Sequence, residues 1–324
     1  MYKNILLYDS GGGLGDAIRI FPLIISLKKH FIKSKFYYLG AHENHFNHKL
    51  KEFNINLDTI DLDLKYFGFR WWHLIRVKQK IKDKNIAKFD LIIDLQSKIR
   101  NTIILKQLPY ESFFSSTFNY FFCTKKNKYF NNKDEFITNI LSNLDIFLDT
   151  KITKIDFNLN TLPKHLIKES TRLLPEKNYI GFSITQGNKY RLKTWKVENF
   201  IMLANKCISM GKKIVFFIEK SEVELIYKVK KKLPFALFPE EQSKFSCPAL
   251  VTALATRLEK SISIDNGTMH MINLAKIPMI ILFGPTDSKK FAPKRLDVQI
   301  LDSKEMYKSK DINKITVNDV VNFL

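Results

Sequence analysis

Cysteine, acidic side chains and long apolar runs are scarce in this chain of 324 residues. The three cysteines, Cys123, Cys207 and Cys247, lie far apart, which argues against a disulfide framework and against a zinc site. No apolar run approaches the ~18 residues of a membrane-spanning helix, and the first residues turn polar too soon for a signal peptide. We therefore expect a cytoplasmic protein without a metal site, which contacts the inner face of the membrane at most peripherally.

The charge is strongly one-sided, because 53 Lys and Arg residues oppose 32 Asp and Glu residues and leave a net charge of +21. Such a field attracts nucleic acid, an anionic membrane, or phosphorylated sugars and nucleotides. A genomic bias towards Lys is an alternative source of the same charge. No helix-turn-helix, RNA-binding sheet or zinc pattern is present, so nucleic acid is not an expected partner.

Strand and helix patterns alternate along the chain, which predicts an α/β fold with doubly wound parallel sheets. The length suits two domains, which we place at residues 1–155 and 179–324 with a linker region at 156–178. The last helix either stays in the second domain or docks back on the first. Residues 113–129 read as irregular, and Pro22 should loosen a helix over 18–31. The predicted strands are 5–8, 35–39, 89–95, 179–184, 213–217, 261–264 and 279–283, and the remaining helices are 72–84, 134–148, 197–210, 223–233, 248–255, 269–274 and 317–324.

Three polar turns follow predicted strands, at residues 11–16 (GGGLGD), 265–270 (DNGTMH) and 284–287 (GPTD). Ligands of open α/β sheets bind at the carboxyl ends of strands, and a helix that starts there offers unpaired N–H groups to a phosphate. The first turn does not match the dinucleotide pattern G-x-G-x-x-G in its usual register, which disfavours a nicotinamide enzyme.

Four separated motifs together carry a resemblance to a known family. They are Gly15-Asp16 with Pro22 and Leu27-Lys28; residues 90–96 (DLIIDLQ) with Arg100; Lys193-Thr194-Trp195 with Phe200; and residues 265–270 with 283–287 (FGPTD). The chain resembles the heptosyltransferases of glycosyltransferase family 9. This resemblance implies the GT-B fold, in which two Rossmann-like domains with parallel sheets face each other across a cleft.

The resemblance also implies a reaction and two partners. The reaction is an inverting transfer of a sugar, first of all heptose from ADP-heptose, from a nucleotide diphosphate sugar to the lipopolysaccharide core or a related surface glycan. Neither a cofactor nor a metal ion is expected. The first domain would bind the glycolipid or glycan acceptor and the second the nucleotide sugar. A family member that binds a nucleotide sugar or glycan without transferring it is the alternative.

The same resemblance assigns roles to individual residues. Asp16 would be the general base, although a plain helix cap is the alternative. Lys193 would neutralise the departing diphosphate. The expected donor-binding residues are Glu222, Asp265, Asn266, Gly267, Thr268, Met269 and His270, and those of the acceptor side are Gly13, Gly15, Gln96 and Arg100.

Two of these assignments stay open. His270 either bonds a phosphate oxygen or ties the helix to the sheet as a core histidine. Glu222 would hold the ribose diol, but Glu219 and Glu224 are close enough in sequence to take its place. The chain also departs from the family pattern at Lys196, where a proline is usual, and at Asn266, where Thr or Ser is common.

Overall fold

The computed structural model describes residues 2–11, 13–40, 45–129, 135–186 and 193–324. The chain divides into two compact units, Met1–Phe157 and Asn158–Leu324. Each unit is built on one five-stranded sheet whose strands all run parallel. The predicted α/β class with two parallel, Rossmann-like sheets is therefore confirmed.

Unit 1, Met1–Phe157, has the strand order β3-β2-β1-β4-β5. The side chains of Ile5, Leu6 and Leu7 are fully buried, as expected for a central strand covered by helices on both faces. The elements of this unit are β1 Asn4–Asp9, α1 Leu14–Arg19, α2 Phe21–His30, β2 Lys35–Gly40, β3 Asp58–Thr59, α3 His73–Asp83, β4 Phe89–Asp94, α4 Ile99–Leu105, β5 Tyr110–Ser115, α5 Thr117–Tyr120 and α6 Phe136–Leu148.

Unit 2, Asn158–Leu324, has the strand order β10-β9-β8-β6-β7. Its core includes Phe182, Trp195 and Phe216, all nearly or fully buried. The elements of this unit are α7 Lys164–Leu173, β6 Tyr179–Ser183, α8 Val197–Ser209, β7 Lys213–Phe217, α9 Val223–Lys232, α10 Pro239–Gln242, α11 Pro248–Ala255, β8 Leu258–Ile264, α12 Gly267–Asn273, β9 Met279–Phe283, α13 Ser288–Phe291, β10 Val298–Asp302, α14 Ser303–Tyr307 and α15 Val317–Val321.

Two local predictions for unit 1 meet a more detailed structure. The helix expected over 18–31, with a loosening at Pro22, is interrupted at Ile20, since α1 ends at Arg19 and α2 begins at Phe21 with Pro22 in its first turn. Proline is well placed there, since its missing N–H has no partner in the first turn of a helix. The segment expected to be irregular, 113–129, begins with the end of β5 at Ser115, but in the short α5 that follows Phe118 and Asn119 have left-handed rather than helical backbone angles.

Each end of unit 2 forms a helix that packs within the unit. The residues predicted as a linker, 156–178, contain α7, whose Leu166 and Leu173 are buried and which packs against α11. The final helix α15 packs against α8 within unit 2, where Val320 is fully buried. Strand β10 was not predicted.

Candidate functional site

Each sheet has one position where the order of its strands reverses, and the predicted site residues cluster at these two positions. In unit 1 the reversal lies between β1 and β4, and in unit 2 between β6 and β8. Ligands of open α/β sheets bind in the crevice outside the carboxyl ends of the strands at such switch points. Asp16 and Gln96 follow the two strands of unit 1, whereas Lys193 and Asp265 follow those of unit 2.

Asp16 occupies the third position of α1 and is half-buried. Its Oδ2 accepts a long hydrogen bond of 3.4 Å from the N–H of Gly13, which precedes the helix and is exposed. The carboxylate therefore caps the helix weakly and keeps part of its surface open to solvent. Gly15 is buried inside α1.

Gly11 packs directly against Asp16. A Cβ atom on Gly11 would lie 2.6 Å from Cβ of Asp16 and 2.8 Å from its Cγ, distances that side chains do not tolerate. Glycine is therefore required here by close approach, and the side chain of Asp16 rests on the backbone at this turn.

Asp9 is a site residue that the sequence analysis missed. It ends β1 with 2 % of its surface exposed, and its Oδ1 accepts hydrogen bonds from the Gly11 N–H (2.9 Å) and the Gln96 side-chain amide (2.5 Å). Burial is the main reason why the pKa of Asp9 is raised to about 6, and the negative charge of Asp16 contributes to the increase. The sequence feature that could have revealed Asp9 is an acidic residue at the end of an apolar strand.

Gln96 lies between two buried carboxyl groups. Its side chain binds Asp9, and its backbone N–H donates to Oδ1 of Asp94 over 3.0 Å. Oδ2 of Asp94 accepts from the hydroxyls of Thr102 (2.6 Å) and Ser115 (2.8 Å). Burial raises the pKa of Asp94 to about 6 against the opposing effect of these hydrogen bonds.

Arg100, the other residue predicted on the acceptor side, is held by a different segment. Its Nε donates to the carbonyl oxygen of Gly68 over 3.0 Å, and its guanidinium lies 6.0 Å from the ring centre of Phe69. The structure thus ties Arg100 to the turn at residues 66–69, and its assignment to the acceptor stays a prediction.

The central contact of unit 2 is the ion pair between Lys193 and Asp265, in which Nζ lies 2.6 Å from Oδ2. Both side chains are largely buried, with 17 % and 7 % of their surface exposed. The Lys193 N–H donates to Oε1 of Gln186 over 3.0 Å. Two further basic residues of this loop, Lys189 and Arg191, lie outside the described residues.

Trp195 anchors the segment that carries Lys193. The indole is 1 % exposed, and its Nε1–H donates to the carbonyl oxygen of Ile315 over 2.8 Å. Its ring meets that of Phe200 edge to face at 4.9 Å. One large buried side chain, placed two residues after the lysine, therefore fixes where the chain enters α8.

The side chain of Asn266 is used by the fold itself. It caps α12 by accepting the Met269 N–H (2.7 Å), and its amide donates to the hydroxyl of Ser183 (2.8 Å) and to the carbonyl oxygen of Thr185 (2.7 Å). These bonds join β6 to β8 across the switch point. They also occupy the Met269 N–H, which corrects the expectation that this group is available to a phosphate.

The remaining residues of this turn differ in accessibility. Gly267 and Thr268 are half-buried. His270 is 8 % exposed, and Met269 is fully buried. The accessible part of the turn is therefore its first two helical residues.

An acidic group lies at the carboxyl end of β7. Glu222 is exposed and precedes α9 without capping it through its side chain, while its N–H donates to the carbonyl oxygen of Glu219 over 2.9 Å. Glu240 was not predicted; burial, followed by the charge of Glu219, raises its pKa to about 7. Leu237, three residues before Glu240, pairs with β7 through Val215.

Within the described ranges, no group of three or more His, Cys, Asp or Glu side chains is arranged to hold a metal ion. The helices in the same ranges are all too short or too polar to cross a membrane.

Comparison with known proteins identifies the family. The model of glycosyltransferase family 9 (heptosyltransferase) matches residues 74–321. The chain belongs to glycosyltransferase family 9. The resemblance stated above is thereby confirmed, and so is the prediction that the protein is a glycosyltransferase.

Three similar proteins cover most or nearly all of the chain. Lipooligosaccharide heptosyltransferase 2 of Campylobacter jejuni serotype O:6 is 23% identical over 286 residues, which are 86% of this chain and 81% of the relative. A family 9 glycosyltransferase structure from Veillonella parvula aligns with a TM-score of 0.71 at 20% identity, covering 99% of this chain and 95% of the other. The E. coli heptosyltransferase WaaC with ADP aligns with a TM-score of 0.70 at 13% identity, covering 99% and 98%. These structures confirm the predicted GT-B fold class.

Proposed function

We propose that this family 9 enzyme transfers a sugar, with inversion and without a metal ion, from a nucleotide diphosphate sugar to a glycan of the cell surface. The observation that carries the proposal is the Lys193–Asp265 ion pair beside the accessible first turn of α12, at the switch point of unit 2. A cation and backbone amides at the carboxyl ends of parallel strands are the groups that bind a diphosphate.

The donor in this proposal is ADP-heptose, and the acceptor is the lipopolysaccharide core or a related glycolipid. The names of the relatives from Campylobacter jejuni and E. coli support both choices. The net charge of +21 also suits an acceptor rich in phosphate or acidic sugars.

Each group has one task in the reaction. Asp16 takes the proton from the acceptor hydroxyl, whose oxygen forms a bond to the anomeric carbon while the bond from that carbon to the diphosphate breaks. Lys193 stabilises the negative charge that grows on the leaving diphosphate. A lysine ammonium has three N–H donors, so Lys193 can keep its bond to Asp265 and still offer two donors to phosphate oxygens.

Peripheral contact with anionic lipid is a further part of the proposal. Trp71, Trp72 and Ile75 are exposed at the start of α3, whose last turn carries Lys80 and Lys82. Aromatic and basic side chains together favour the interface of a membrane.

Two measurements test the proposed function. Thermal shift against ADP, UDP, GDP and NAD should give the largest stabilisation with ADP, and stabilisation by NAD alone would contradict the proposal. Transfer of heptose from ADP-heptose to a heptose-deficient lipopolysaccharide core, followed by mass spectrometry, should proceed equally with and without EDTA. ADP binding without transfer to any such acceptor would instead support a non-catalytic family member.

A further inference from the structure

Asp9 has no task in the proposed reaction, yet one of its carboxyl oxygens is buried without a partner. Oδ1 accepts from Gly11 and Gln96, whereas Oδ2 has no hydrogen-bond partner among the residues that the structure describes. Such an oxygen is costly to bury when the carboxyl group is ionised. A buried polar group of this kind calls for a specific explanation.

Gly11 connects Asp9 to Asp16 mechanically. Its N–H is held by Asp9, and its α-carbon supports the side chain of Asp16 so closely that no Cβ fits between them. Any movement of this backbone therefore moves the carboxylate proposed as the base. Gln96 adds a second tether, because it joins the Asp9 carboxyl to the end of β4.

The two carboxyl groups are also coupled through their charges. Burial raises the pKa of Asp9, and the charge of Asp16 raises it further, against the lowering effects of the Gly11 hydrogen bond and of Arg19. The other titratable groups that interact with Asp9 are Tyr8 on the same strand, Tyr38 on β2 and Asp94 on β4.

We infer that Asp9 is a positioning residue for Asp16, because it holds the Gly11 backbone on which the Asp16 side chain rests. This inference rests on the proposed function in one respect, namely that Asp16 is the base. The proton of the acceptor hydroxyl goes to Asp16, and Asp9 touches neither substrate. Its effect is to place the base.

Carboxyl titration by NMR tests the coupling without any turnover. With ¹³C-labelled aspartate, the Asp9 carboxyl should titrate near pH 6 in the wild type and about half a pH unit or more lower in Asp16→Asn. An unchanged midpoint in Asp16→Asn would overturn the inference. Because no substrate is needed, this result stands even if the protein transfers no sugar.

The split between kcat and KM tests the positioning role. Asp9→Asn keeps an oxygen that accepts from Gly11 and Gln96, so its kcat should stay within about threefold of that of the wild type. Asp9→Ala should lower kcat roughly tenfold or more while the donor KM stays unchanged. A kcat of Asp9→Ala equal to that of the wild type, or a loss in Asp9→Asn as large as that in Asp9→Ala, overturns the inference. If Asp9→Ala does not fold, the carboxyl titration of Asp9 decides alone.

Asp90 provides the matched control. It joins the same two strands at their other end, where Oδ2 accepts from the N–H groups of Asn4 (2.9 Å) and Lys3. Asp90→Ala removes a strand-joining carboxylate at a site remote from the turn. It should leave kcat close to that of the wild type, so a loss as large as that of Asp9→Ala would mark a general structural effect and overturn the inference.

Discussion

Nζ of Lys193 lies 2.6 Å from Oδ2 of Asp265, which joins the segment after β6 to the turn after β8. The two side chains are largely buried, so this ion pair is much less screened than one at the surface. Asp265 thereby holds the ammonium at the switch point of the sheet. The pair gives the proposed diphosphate site a cation in a defined position.

Replacement of Lys193 by alanine should weaken ADP binding by about 1.5–3 kcal/mol, the usual contribution of a hydrogen bond to a charged group. The same change leaves Asp265 without its cation, so a modest loss of thermal stability should accompany it. Isothermal titration calorimetry measures the first effect and differential scanning calorimetry the second.

Lys228 is the control for this experiment. Its ion pair with Glu198 has a similar distance of 2.6 Å, but both side chains are more than half exposed. Lys228→Ala should therefore change ADP affinity and stability little. Equal ADP affinity in Lys193→Ala and the wild type would remove Lys193 from the donor site.

Replacement of Asp16 by asparagine should lower kcat by about 10²–10⁴-fold, the usual contribution of a general base. Donor affinity should stay close to that of the wild type, because the groups proposed to bind the donor belong to unit 2. Steady-state kinetics with ADP-heptose and calorimetry with ADP separate the two quantities. Glu111→Gln, which changes an exposed carboxylate on β5, is the control; loss of donor binding in Asp16→Asn alone would contradict the assignment.

Most buried strands could be predicted from the sequence because continuous apolar runs mark strands covered on both faces. Residues 5–8 and 89–95 are examples, and both lie at the centre of the unit 1 sheet. Strands β3 and β10 lie at sheet edges. The former has only two residues, and Val298–Ile300 of the latter are half-buried, so neither leaves an apolar run in the sequence.

Residues of the candidate site could be predicted only where they belong to a sequence motif. Lys193 and Asp265 belong to such motifs, and the fold brings them together across 72 positions of sequence. Asp9 belongs to none, and its bond to Gln96 depends on the pairing of β1 with β4, which the sequence does not state. Glu240 also belongs to no motif. It comes close to Glu219 only through the pairing of residue 237 with β7, which the sequence does not state either.

Replacement of Gly11 by alanine tests the close approach to Asp16. The added methyl group would lie 2.6 Å from Cβ of Asp16, so the turn must shift, at a cost of about 1–3 kcal/mol of unfolding free energy. The kcat should fall as well, because the base is displaced. Gly13→Ala is the matched control for stability, since its new methyl group meets nothing closer than 3.5 Å; equal stability of the two variants would show that the turn adapts freely.

Glu169 should make the stability of unit 2 depend on pH. Its hydrogen bonds from Arg172, foremost, and from Ser243 lower its pKa to about 2. A carboxyl whose pKa is lowered by folding stabilises the protein above its unfolded pKa of about 4.3, and this contribution is lost as the pH falls towards 2.

Replacement of Glu169 by glutamine should therefore lower the unfolding free energy by about 1–3 kcal/mol at pH 7, and the difference from the wild type should shrink as the pH falls below 4. Urea denaturation at a series of pH values measures this difference. Glu176, whose ion pair with Lys213 is about half exposed, supplies the control, because Glu176→Gln should change stability by less than about 1 kcal/mol at any pH. A Glu169→Gln deficit that persists undiminished to the lowest accessible pH would mean that packing, rather than charge, accounts for the contribution of this side chain.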